Sequence, residues 1–394
     1  MRNSTVRAVN RLSKRWAAEA PADGPGTVFT AAGVWPLLAL LADGAGGPAR
    51  AELAQALGIP ADAAAEAARE LLGALADVRG LQAATGLWSK ADLPLEERWS
   101  AKLPAGALGT LTGDTQTDGK IVDAWASDRT GGLIERMPVA VDEETRFVLA
   151  SALALRLKWI RPFREWCGDI DEGPWAGRRL RLLGRSTSLL DRVRVAHGPT
   201  GPVTLLEVVG NTGVDVHLVL GEPDSPPGET LGTGIDAVTR SLASTGARSL
   251  HEGNPGPGLS IGTAAAVHPT PWLNIRTVAF EVRAEHDLLS QARLFGLETA
   301  TDRDHGHFPG ISSEELAVDS ARQSALARFD AKGFEAAAVT AVAAAAGCAA
   351  PRLRYRVRHA EVRFDRPFGF LAVHRTSRLV LAAGWVNEPG MVTQ

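Results

Sequence analysis

Few groupings in this 394-residue chain have the types and spacing that chemistry needs. His305-Gly306-His307 stands beside Asp302 and Asp304, a set that could offer a metal both nitrogen and oxygen. No further ligands follow at a suitable spacing, and the segment reads as a solvated loop. Cys348 carries a nucleophilic sulfur, yet no neighbouring His or Lys is there to lower its pKa, so it reads as an incidental exposed thiol. The stretch that holds it is the most unusual in the chain: AAAVTAVAAAAGCAA, residues 336–350, has ten Ala among fifteen residues. Taken alone such a run reads as helix, because Ala has the highest helix propensity.

Several chemistries are excluded. The chain has no G-x-S-x-G, no H-E-x-x-H and no P-loop, and EGNPGPGLSIG at 252–262 lacks the flanking strand and helix of a dinucleotide loop. No catalytic residue, cofactor or resident metal is therefore assigned, and the enzyme reading is not favoured. A formal charge of −3 and a pI of about 6.3 leave no basic excess to neutralise phosphates, so nucleic acid is not an expected partner. No stretch approaches roughly 18 uninterrupted apolar residues, which argues against a membrane span. Cys167 and Cys348 are too few and too far apart for a disulfide framework. Residues 1–20 carry five Arg/Lys and no continuous apolar run, so they read as an amphipathic helix rather than a secretory leader, and a cytoplasmic protein is expected. The ten tryptophans read as core.

The elements that must position any site are legible as blocks. VWPLLALLA, AELAQAL and AAAEAARELLGALADV within 34–79 have helical periodicity, and LQAATGLW at 81–88 follows as a strand. A helix is predicted over 120–130, stopped at Gly131-Gly132. Phe147 to Trp159 is almost continuously apolar, as a strand buried on both faces would be. VTLLEVVG and VDVHLVLG flank Asn211-Thr212-Gly213 as a hairpin. The 252–262 segment is too rich in Gly and Pro to be regular, HDLLSQARLFG at 286–296 reads as helix, and two strands close the chain, AEVRFDRPFGFLAVH and RLVLAAGWV. Helices and strands fall in separate blocks, hence α+β, and no linker divides them, hence one domain over 1–394.

Four segments in order give the chain a resemblance. Trp125 and Thr130 lead into GLIERMP at 132–138; TRFVLASALALRLKWIRPF runs over 145–163; FPGIS stands at 308–312; and FDAKGFEAAAVTAV at 329–342 is followed by RFDRPFGF at 363–370 and Gly384-Trp385-Val386-Asn387. Together these resemble the serpin family of serine protease inhibitors, in a divergent, bacterial-type form. The resemblance implies a fold of roughly nine helices around three sheets, monomeric, with a reactive-centre loop over about 333–358. A serine protease acylates itself on that loop, and the cut loop then inserts as a new strand of the main sheet.

In those terms Gly333, Phe334, Glu335, Ala336, Ala337, Ala338, Val339 and Thr340 form the hinge, Trp159 sits in the breach at the sheet top, and Thr30, Gly33, Ser151 and Gln323 form the shutter beneath it. The small residues suit a segment that must thread between packed strands. Alternation would place Phe334, Ala336, Ala338, Thr340 and Val342 on one face and Glu335, Ala337, Val339 and Ala341 on the other, leaving the proposed buried face uncharged. Counting from Gly333 by the family pattern places the cut bond near Gly347-Cys348, where Ala and Gly suit shallow-pocketed, elastase-like or subtilisin-like proteases. Arg352, Arg354, Arg356 and Arg358 offer trypsin-like enzymes a second set of bonds, expected to give turnover instead of trapping.

The sequence departs from the family where inhibition is sensitive. Phe334 replaces the usual Thr or Ser, the first residue expected to enter the sheet after cleavage, and Ala331 replaces a Glu. The four shutter residues stand where the family usually has Ser, Ser, Asn and His. A bulky Phe at the entry would slow insertion about tenfold for each 1.4 kcal/mol added to its barrier. A non-inhibitory serpin-fold protein that binds a ligand, assists folding or has acquired another chemistry therefore stays open as the alternative.

Overall fold

Residues 1–139, 141–334 and 354–390 are described by the structure, a computed structural model. The nearly unbroken apolar run that begins at Phe147 forms the strand Phe147–Leu155, and every one of its residues is buried. Period-2 alternation explains why both faces must be apolar. Phe147, Leu149, Leu153 and Leu155 face the main core, where they join Val34, Leu37 and Leu41 of the helix Ala31–Gly44. Val148, Ala150 and Ala152 face the opposite way, against Val122 and Ala126 of the helix Thr115–Thr130.

That strand is central to the first of three sheets. Its neighbours are Leu81–Lys90, antiparallel, and Ser320–Phe329, parallel, with Leu108–Leu111 on the outer side of the former and Phe280–Asp287 beside the latter. A seven-stranded sheet runs Thr27–Phe29, Val380–Val386, Phe368–His374, Val214–Leu220, Gly201–Val209, Val193–Gly198 and Ser244–Gly246. A six-stranded sheet runs Gly253–Gly256, Leu259–Ala266, Tyr355–Arg363, Trp272–Val278, Arg179–Thr187 and Arg164–Asp169. Eight α-helices occur among the described residues, and one apolar core joins the first two sheets through the helix Ala31–Gly44. The architecture is α+β, as the block pattern implied.

Three local expectations need correction. The Gly/Pro-rich segment 252–262 is not irregular but forms the edge hairpin Gly253–Gly256 and Leu259–Ala266. An edge strand tolerates Pro255, which has no N–H to offer, and Gly258 turns the chain with φ of 63°. The segment 360–374 is two strands in two different sheets, broken at Phe364–Pro367, where Pro367 has no N–H to continue a ladder. The helix expected over 286–296 shrinks to a 3-10 turn, Leu289–Gln291, and one turn of α-helix, Ala292–Phe295. His286 and Asp287 instead end the strand Phe280–Asp287.

Candidate functional site

The parallel seam between Phe147–Leu155 and Ser320–Phe329 brings the sequence-predicted positions together. It is zipped over six residue pairs, from Val148 opposite Ser320 to Leu153 opposite Ala325. Ser151 lies opposite Gln323, and odd-numbered positions on both strands face the main core.

Beneath this seam Thr30, Gly33, Ser151 and Gln323 do meet. The amide of Gln323 spans the backbone of Thr30: its Oε1 accepts from Thr30 N–H at 2.8 Å and its Nε2 donates to the Thr30 carbonyl at 3.0 Å. Thr30 in turn caps the helix Ala31–Gly44, its Oγ1 accepting from Gly33 N–H at 3.1 Å. Gly33 is required by space, since a Cβ there would stand 2.4 Å from Ser151 Oγ. That hydroxyl is fully buried and has no hydrogen-bond partner among the described residues. The cluster is thus a side-chain clamp on a helix start rather than a network of side chains.

His286 completes the cluster and was not foreseen. It pairs with Gln323 across the strands Phe280–Asp287 and Ser320–Phe329, its Nε2 lies 2.8 Å from the Val28 carbonyl, and its ring meets Trp16 edge-on at 5.1 Å. Burial pushes its pKa below the ordinary histidine value, opposed by the Val28 contact. Reading 286–296 as helix hid it; the alternation of Phe280, Val282 and Ala284 was the available signal.

At the top of the seam Asp330 reverses the chain. Its Oδ1 accepts from Lys332 N–H at 2.7 Å and Gly333 N–H at 3.0 Å, and its own N–H donates to the Gly333 carbonyl at 3.0 Å. Trp159 anchors the turn: its indole N–H donates to the Asp330 carbonyl at 2.9 Å, its backbone N–H donates to the Lys332 carbonyl at 2.9 Å, and its ring lies 4.8 Å from Phe329. The Ala331 carbonyl accepts from Phe163 N–H at 2.8 Å, and its side chain packs against the main core.

The turn sends the next two residues into the seam. Gly333–Phe334 is a strand, antiparallel to Phe329 on one side and to Leu157–Lys158 on the other. A Cβ at Gly333 would stand 2.2 Å from the Leu157 carbonyl, so no side chain fits. Phe334 is 2% exposed, and its ring lies 6.1 Å from Phe370 in the main core. This corrects the expectation that Phe334 enters the sheet only after cleavage: it is already seated, on the core-facing side that alternation assigned to it. The bonded turn at 330–333 aims the chain into the slot, and burying a Phe side chain favours the state by about 1.5–3 kcal/mol. Glu335, Ala336, Ala337, Ala338, Val339, Thr340, Gly347 and Cys348 lie outside the described residues.

Beyond the loop, the strand Tyr355–Arg363 begins earlier than the expected loop boundary of 358. Arg356 and Arg358 belong to the six-stranded sheet, opposite Ala265 and Thr263. The Arg358 guanidinium donates to the carbonyls of Ala247 and Leu250. Both lie within the strand rather than in a loop; Arg354, just before it, is exposed, and Arg352 lies outside the described residues.

Similarity to known proteins agrees with this geometry. The family described as Serpin (serine protease inhibitor) matches residues 7–166 and 272–389. Serpin-Z2B of Oryza sativa subsp. japonica is 26% identical over 411 aligned positions, covering 96% of this chain and 95% of that protein. Among solved structures, the native state of tengpin, a thermophilic serpin, superposes with a TM-score of 0.77 at 14% identity, covering 98% of this chain and 95% of the other. Thyroxine-binding globulin in complex with thyroxine superposes at 0.72 and 16% identity, covering 98% and 99%. With three sheets arranged in this way and a family match over most of its length, the chain belongs to the serpin family.

Proposed function

We propose that this serpin is a suicide-substrate inhibitor of serine proteases of the elastase-like or subtilisin-like kind. The protease serine attacks the carbonyl carbon of Gly347, the amine of Cys348 leaves, and an acyl-enzyme remains on the loop. The cut loop then follows Phe334 into the seam before water can release the protease. The observation that carries this reading is the Gly333–Phe334 strand, which already pairs with both walls of the slot that insertion would fill. Continuing that strand downward would replace one parallel ladder of six residue pairs by two antiparallel ladders. Mixing the protein with elastase and with subtilisin tests the reading: an SDS-resistant complex is expected, and its absence across a protease panel overturns it.

A second reading, a non-inhibitory serpin that holds a ligand, assists folding or has acquired another chemistry, is favoured by the closed lower seam. The Gln323 clamp on Thr30 opposes opening. A cavity of about 560 Å³ lined by Arg192, Glu207, His217, Arg240 and Arg378 would be available to a small molecule, and a structural relative holds thyroxine. This reading expects loop cleavage without trapping and little thermal stabilisation after the cut.

A further inference from the structure

The folded chain brings together three side chains that lie apart from the insertion seam. His305 Nδ1 is 2.9 Å and His307 Nε2 is 3.1 Å from the same oxygen, Oδ2 of Asp302. The three atoms lie within 4.8 Å of one another. In a tetrahedral zinc site, with metal–ligand bonds of about 2.0–2.1 Å, neighbouring ligand atoms stand roughly 3.3–3.4 Å apart. Two of the three separations are therefore already within a few tenths of an ångström of what a metal would impose.

The loop is also braced around them. Oδ1 of Asp302 accepts from Asp304 N–H at 2.9 Å, which leaves Oδ2 for the two rings. The His307 carbonyl accepts from Gly46 N–H at 2.8 Å, and its side chain is only 13% exposed. His305, 73% exposed beside Gly306, is the member free to close the third separation.

We propose that Asp302, His305 and His307 form a binding site for a zinc-class divalent metal ion, with the fourth position open to water or an exogenous ligand. Two imidazole nitrogens and one carboxylate oxygen match the preference of such ions, whereas calcium and magnesium require oxygen ligands. Binding exchanges two N–H···O contacts for two N–metal bonds, each ring carrying its proton on the opposite nitrogen.

The position gives the site a structural reach. Arg303, inside the loop, pairs with Asp319 at 2.7 Å. The other oxygen of Asp319 accepts from Arg146 N–H at 2.8 Å and Phe147 N–H at 3.1 Å, where the central strand begins. A metal that fixes the loop is thus one ion pair from the foot of the seam, and it stabilises the native state by an amount that grows with the logarithm of its free concentration above Kd.

The test is calorimetric titration of the tag-free, chelator-stripped protein with zinc chloride, beside His305→Ala, His307→Ala and Asp302→Asn. Each variant is first required to unfold at the wild-type midpoint without metal; the exposed His305→Ala variant meets this most readily and suffices by itself. One ion per chain is expected, with affinity falling at least ~10-fold on loss of a ligand. The zinc-dependent rise in unfolding midpoint should disappear in the same variants. Absence of saturable binding, or affinity unchanged in His305→Ala, overturns the proposal. So does binding that vanishes when Cys167 and Cys348 are replaced by Ser.

Discussion

Gln323 holds Thr30 by both of its backbone polar groups, accepting from its N–H at 2.8 Å and donating to its carbonyl at 3.0 Å. Gln323 belongs to one wall of the insertion seam and Thr30 to the start of the helix beneath it. Opening the lower seam moves that wall, so this amide is a latch between sheet and core.

Removing the latch has two consequences. Gln323→Ala leaves the buried Thr30 N–H unpaired, while the Thr30 carbonyl keeps Gly33 N–H and Val34 N–H, and should lower native stability by about 1–3 kcal/mol, read from the denaturant midpoint. It should also raise the fraction of protease trapped per molecule consumed, because insertion requires the seam to open. An unchanged partition ratio would show that the latch does not limit insertion.

Gly33 and Ser151 should show strong coupling. Gly33→Ala places a methyl 2.4 Å from Ser151 Oγ and should destabilise by about 1–3 kcal/mol. Ser151→Ala removes a buried hydroxyl without a partner among the described residues and should be close to neutral or stabilising. The double variant should recover part of the Gly33→Ala loss; additive effects in a double-mutant cycle would count against this packing account.

His286 gives the cluster a pH dependence. Its folded-state pKa is lowered by burial, so the unfolded chain binds the proton more tightly. Stability from the neutral ring is complete above the unfolded value of about 6.5 and is lost as pH falls from there through the folded pKa. His217 and His374 are lowered for the same leading reason, which makes subtraction necessary. His286→Gln should flatten the acid limb of the stability profile relative to wild type; an identical limb would exclude His286 as a source.

Phe334 now calls for a different expectation from the one its sequence position suggests. Because it is seated before cleavage, Phe334→Thr should not speed insertion. It should remove a core side chain, lower native stability by roughly 3–5 kcal/mol as Phe-to-small changes do, and leave the partition ratio near wild type. A marked rise in trapping would return Phe334 to the role of entry barrier.

What the sequence made legible was what local patterning encodes. The two-faced burial of Phe147–Leu155 follows from its unbroken apolar run, and the hairpin at Asn211-Thr212-Gly213 follows from its turn residues. The meeting of Thr30, Gly33, Ser151 and Gln323 was expected only through the family resemblance, because Gln323 and Thr30 are 293 residues apart. The chemistry of their contact, an amide closing on a backbone, had no sequence signature. The seating of Phe334 was missed because it depends on the turn that Asp330 and Trp159 build across distant parts of the chain. His286 was missed because a two-residue strand end looks like the first turn of the apolar pattern that follows it.

The central claim is that the cut loop becomes a strand between Phe147–Leu155 and Ser320–Phe329, and thermal unfolding before and after limited proteolysis tests it most directly. Cleavage by catalytic subtilisin, with the new terminus located near Cys348 by mass spectrometry, isolates insertion from trapping. An inserted strand adds backbone hydrogen bonds on both sides, each contributing about 0.5–1.5 kcal/mol net, so the unfolding midpoint should rise by roughly 10 °C or more. A cleaved protein that unfolds at or below the midpoint of the intact one would contradict the claim.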